Sequence, residues 1–258
     1  MTAVTLERPT APTTALSRIT RVVKLNLANP WNTVILPWIV IAGIFALSYG
    51  IWVIVFASTE GVSREHASEG LQYSGASSWI FFYMLVVAVQ AINFTFPLAL
   101  GFGSTRRDFY LGSALTFVML SAMYAIALTI LSAIESATNG WGVGGTMFTA
   151  VYFGGGDVAI WQRLVIFFCV MLFFFFVGAA VATVFVRWRA TGLVLFFIAI
   201  GALVVGGTAL IAFTDSWGGI GGFFATSQAI GIALWSLVLT AIAGIAGYLV
   251  LRRTTPRS

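Results

Sequence analysis

Charge is scarce in this chain: only 8% of its 258 residues are Asp, Glu, Lys or Arg, where soluble domains carry about a quarter. Too little charge remains to clothe a water-facing surface. Lys24 is the single lysine, His66 the single histidine and Cys169 the single cysteine. One cysteine excludes an intrachain disulfide, and with one histidine it makes no metal-ligand set. Cys169 reads as a small packing residue inside an apolar run. His66 lies in a polar stretch away from the apolar runs, so a Ser–His dyad within the membrane is excluded, and Glu65 and Glu69 read as a solvated face. No G-x-x-x-x-G-K-[ST] phosphate loop occurs. With no catalytic motif and no residues for a cofactor, the chain alone does not read as an enzyme.

What fills the sequence is apolar: 60% hydrophobic residues with 23 Phe and 9 Trp, and a mean hydropathy of +1.00. Hydrocarbon is the natural solvent for such side chains. Backbone polar groups cannot go unpaired there, so each long apolar run reads as a helix closing its own hydrogen bonds. Six runs stand out, at residues 35–57, 79–100, 111–134, 164–186, 191–213 and 229–251. Each approaches the ~20 residues that cross ~30 Å of hydrocarbon. The expected fold class is therefore all-α, a polytopic membrane protein with about six transmembrane helices. Residues 14–251 form one transmembrane domain between a disordered tail, 1–13, and a short tail, 252–258.

Orientation follows from the arginines. Eleven of the thirteen basic residues precede the first span, follow the last, or lie in the links after the second and fourth. Arg64 and Arg163 fall on the other side. The positive-inside rule makes the first side cytoplasmic, with both termini inside a bacterial plasma membrane. A basic balance built this way reflects topology, so nucleic acid is set aside as a partner. Glu135 and Asp157, near the outer ends of spans or in loops, read as solvated structural residues.

Before the first span, Leu16, Ile19, Val23 and Leu27 recur at helical spacing with Arg18, Arg21 and Lys24 on other faces, the pattern of an amphipathic interfacial helix. Asn29-Pro30-Trp31 would then turn the chain into the bilayer. On the outer side, GWGVGGTMFTAVYFGGGD and SWGGIGGFF suggest irregular backbone or short interfacial helices.

The link after the second span reads GFGSTRRDFYLG. Ser104 or Thr105 can cap a helix starting at Arg106, and Asp108 would sit favourably in its first turn. A charged hairpin that only fixes topology has the same composition. In the second span Gln90 and Asn93 share a face ahead of Pro97, and Ser121 with Tyr124 do so in the third. Such polar groups join helices or line a pathway. The span cores hold no ionisable group for a coupling ion, which speaks against an ion-driven carrier.

Several of these features in this order resemble the type-2 ABC exporter permeases of bacteria, particularly actinobacterial ones: the amphipathic helix, the six spans, the Arg-Arg link, the Gly-Trp-Gly loop, the run FFCVMLFFFFVGAA and the Arg-Trp-Arg turn. The resemblance implies a membrane subunit that pairs with a second copy or a homologous permease and docks on separate ATPase subunits, which bind the ATP and Mg. It also implies that Arg106, Arg107, Asp108, Phe109 and Tyr110 couple to that ATPase, with the two aromatics as its anchors. The cargo would be hydrophobic or amphipathic. Two rival readings are a substrate-binding membrane subunit of an ATP-driven vitamin importer, and a non-transport scaffold or immunity protein.

Overall fold

The computed structural model describes residues 14–58, 70, 75–156 and 158–253. The tail expected over residues 1–13, the loop with Glu60, Arg64, Glu65, His66 and Glu69, Asp157 and residues 254–258 lie outside them. Among the described residues every long element is a helix: α1, Ala15–Asn26; α2, Leu36–Ser58; α3, Trp79–Gly101; α4, Arg106–Ala137; α5, Ile160–Phe213; and α6, Trp217–Arg252. Five of them, α2 to α6, are long and apolar enough to cross a membrane.

Helix α5 supplies two crossings. Its 54 residues would make a straight rod of about 80 Å, more than twice the hydrocarbon thickness. At Arg189 the backbone leaves the helical region, with φ 58° and ψ −154°. Neighbours on α6 fix what happens there. Gln162 and Ile166 share a cavity with Gln228 to Ile230, and further along Phe176 meets Gly244 and Ala180 meets Gly247. The first half of α5 and the second half of α6 thus run parallel, so the chain between them must recross the bundle. Six crossings result. A second break, at Gln228 with φ 50°, separates a short helix from the last crossing.

The core lies where α3, α4 and the first half of α5 meet. Lipid tails give apolar helices no reason to associate by hydrophobicity, so fit holds them together. Phe117 stacks on Phe175 at 5.1 Å between ring centres, and Phe153 meets Phe167 edge-on at 5.0 Å. Residues 190–213 expose side chains all round, from Val194 to Phe213, as befits a helix facing lipid.

The entry to α2 is a wide π-type turn, Trp31–Ile35. Pro37 has no N–H to offer the carbonyl four residues before it, that of Thr33. The Tyr124 hydroxyl donates to that carbonyl at 2.7 Å, and Tyr83 donates to the neighbouring Asn32 carbonyl at 2.8 Å. Two tyrosines from α3 and α4 therefore supply the hydrogen bonds that the turn forgoes.

The end opposite the arginine links is roofed by residues 138–156. Glu135, 1% exposed, is enclosed rather than solvated, correcting the sequence expectation. Its carboxylate accepts from the backbone N–H groups of Met147, Phe148 and Thr149, from the Thr149 hydroxyl and from the Trp141 indole. Gly145 lies flat on Trp52 of α2, where a Cβ would stand 2.1 Å from the ring. Arg163 is also buried and donates to the Gly155 carbonyl.

Candidate functional site at the basic end

The residues singled out after the second span open helix α4. Phe102 to Thr105 make a tight turn, and Thr105 caps the helix by accepting from the Asp108 N–H at 3.1 Å. Asp108 in the first turn favours the helix dipole. It also reaches across to α1, where the Arg18 guanidinium meets its carboxylate at 2.6 Å. The cap and the acidic first turn were legible in the sequence; the ion pair, spanning ninety positions, was not.

Helix α1 is fastened along α4, and not merely laid in an interface. A Cβ on Gly112 would stand 2.6 Å from the Val22 Cβ, so only glycine lets the two backbones approach so closely. The Asn26 amide donates to Ser113 at 3.2 Å, and its oxygen accepts from Thr95 of α3 at 2.9 Å. The packed face carries Val22, Val23 and Asn26, while Leu16 is exposed. Of the expected stripe, Val23 is buried and Leu27 packs against the core, while Leu16 is exposed and Val22 and Asn26 join the packed face. Hydrophobic periodicity located the helix, and the polar Asn26 inside its contact face escaped it.

Phe109 and Tyr110 turn inward. Phe109 is fully buried against Phe96, with ring centres 5.2 Å apart. Tyr110 is 8% exposed, donates to the Gly244 carbonyl of α6 at 2.5 Å and lies against Tyr248. Phe109 is enclosed and Tyr110 lines only the side groove toward α6, so neither ring projects from the turn as the docking anchor expected of it. No separate surface helix forms either, because Arg106 to Tyr110 are the first turns of α4 itself. Arg106 donates to the Arg252 carbonyl at 2.9 Å, whereas Arg107 is exposed. Outermost is Phe102, 76% exposed, which the sequence reading passed over.

The polar residues within the spans do not converge. Tyr124 joins helices, as described above. Ser121 is buried with an unpartnered hydroxyl, Asn93 has a buried, unpartnered Oδ1, and Gln90 on the same helix is exposed midway along it. Pro97 sits inside α3, which continues through it. Among the described residues no His, Cys, Asp and Glu cluster could hold a metal.

What the basic end can do is mechanical. α1, α3, α4 and α6 are tied at one corner by an ion pair, side-chain hydrogen bonds from Asn26 and a tyrosine. No family model, curated protein or solved structure matches this chain.

Proposed function

We propose that the chain is the membrane-spanning permease subunit of an ATP-driven exporter, moving a hydrophobic or amphipathic substrate out of the cytoplasm with energy from a separate ATPase. The observation that carries this reading is the corner just described. A transport subunit driven from outside itself needs an exposed contact rigidly joined to several spans, and Phe102, in the turn between α3 and α4, has that form. The aromatic contact passes from Phe109 and Tyr110 to Phe102. The inner pair transmits a displacement of that turn to α3 and α6.

The exclusion of ion coupling also gains support. Of the two buried carboxylates among the described residues, Glu135 accepts from the roof and Asp108 is paired with Arg18, so each already has protein partners in place of a travelling cation. The basic end faces the cytoplasm by the positive-inside rule. A second copy fits the outward-facing Gln90 at mid-span and the lipid-exposed helix 190–213, since a polar side chain at that depth gains from a partner.

The test is co-purification with a candidate ATP-binding cassette ATPase and substrate-stimulated hydrolysis. The chain alone should hydrolyse no ATP. Phe102→Ala should leave insertion intact and weaken docking by about 2 kcal/mol, some thirtyfold, if the ring is a buried anchor in the complex. Substrate movement across liposomes without ATPase or nucleotide would overturn the proposal in favour of a channel or carrier.

A further inference from the structure

A groove of about 720 Å³ opens sideways between α4, the first half of α5 and the second half of α6. Its walls are apolar: Leu111, Val118, Leu172, Phe176, Leu237 and Ile245. Its floor is kept low by Ala241 and Gly244, which contribute almost no side chain. At one end sits Arg107; Tyr110 and Tyr248 also line the groove, with the Tyr110 hydroxyl donating to the Gly244 carbonyl. Thr240 also lines the groove, with its hydroxyl donating to the Ser236 carbonyl of its own helix, so it is charge that is confined to one end.

Length and charge together identify what fits. From Leu237 to Tyr248 the wall of α6 rises about 16 Å, close to half of the ~30 Å hydrocarbon thickness, so the groove runs the depth of one leaflet. Its charged end coincides with the arginine-bearing end of the bundle, where Arg106 holds the Arg252 carbonyl. Arg107 is exposed and forms no salt bridge among the described residues. A free guanidinium at headgroup level above an apolar, leaflet-deep groove is complementary to an anionic amphiphile whose acyl chain runs along the helices.

We infer that this groove is a binding site for an anionic phospholipid of the leaflet at the arginine-rich end, with the acyl chain along α4 and α6 and the phosphate on Arg107. Tyr110 and Tyr248 form the waist between headgroup and chain, the position that amphipathic rings favour at membrane interfaces. The inference rests on the membrane-spanning fold and not on the exporter reading. The lipid holds α4 against α6 at the corner where Tyr110 already joins them.

The test uses the purified full chain without any ATPase, incubated in detergent with equimolar phosphatidylglycerol and phosphatidylcholine of identical acyl chains, and weighed by native mass spectrometry. Phosphatidylglycerol should be retained in preference to phosphatidylcholine. Arg107→Gln should reduce that preference about fivefold, the worth of one basic residue near an anionic headgroup. Arg253→Gln, at the same end but outside the groove, should leave it unchanged. Ala241→Phe fills the groove and should lower retention of both lipids. Equal retention by the unaltered chain, an unaffected preference in Arg107→Gln, or an equal loss in Arg253→Gln would each overturn the site. Retention unaltered by Ala241→Phe would overturn the groove as the holder of the chain. Arg107 is a surface side chain, so the first variant keeps the inference testable even where Ala241→Phe fails to fold.

Discussion

Replacing Glu135 with alanine should open the roof at the end opposite the arginine links while leaving the spans in place. Among the described residues the carboxylate is the only acceptor for the side-chain hydroxyl of Thr149 and for the backbone N–H groups of Met147, Phe148 and Thr149, at 2.5 to 3.2 Å. If the loop kept its conformation, three buried N–H groups would be orphaned at about 1–3 kcal/mol each, at least ~3 kcal/mol in all. If it opened, water would satisfy them at the cost of exposing Met147 and Phe148, about 1.5–3 kcal/mol apiece. The two routes are comparable at their lower ends, so opening limits the damage. A shift of ~3 kcal/mol raises the open fraction more than a hundredfold. Met147 is fully buried, which makes it the reporter. In a Cys169→Ser background, Met147→Cys should resist an impermeant maleimide while Glu135 is present and react rapidly once Glu135→Ala is added. Glu135→Gln retains one acceptor oxygen and should fall between. Continued protection in the alanine variant, with unchanged thermal stability, would refute the idea that one carboxylate holds this loop.

Two further substitutions test the joints between helices. Tyr124→Phe removes the donor that serves the Thr33 carbonyl left unpaired by Pro37, and should lower stability in detergent by about 1–3 kcal/mol in thermal unfolding. Pro37→Ala, which restores an N–H, should reduce that loss when combined with it. At the basic corner, Asp108→Asn breaks the pair with Arg18; the exchanged double variant Arg18→Asp with Asp108→Arg should recover part of the loss in α1 protection measured by hydrogen exchange, and no recovery would assign the effect to the helix dipole alone.

Span positions were legible because lipid imposes one requirement on every residue of a crossing. The apolar runs at 35–57 and 79–100 match α2 and α3 within a residue or so at each end, since a polar backbone in hydrocarbon leaves no alternative to a helix. The same rule accounts for the α5 reversal being readable as Arg187-Trp188-Arg189 between two runs. What escaped the sequence was pairing between distant positions. Glu135 looked solvated because charge near a span end usually is; its five donors come from a glycine-rich loop whose folding no periodicity announces. Arg18 read as part of the basic end and Asp108 as a favourable first-turn residue, yet each is the other's partner.

Phe109 and Tyr110 carry the more general lesson about reading a link between spans. An aromatic pair next to two arginines resembles an exposed contact, but residues 106–110 are helical, and a helix packed on one side presents only part of its circumference to solvent. Successive positions are turned by about 100°, so Arg107 and Leu111, four apart, share the outer side while Asp108, Phe109 and Tyr110 face α1, α3 and α6. The exposed aromatic is Phe102, which lies before the Thr105 cap and is free of that constraint. The start of α4 determines which ring a partner can reach, and with it which substitution tests docking: Phe102→Ala probes a contact, whereas changing Phe109 and Tyr110 removes two core side chains and would confuse lost docking with lost fold.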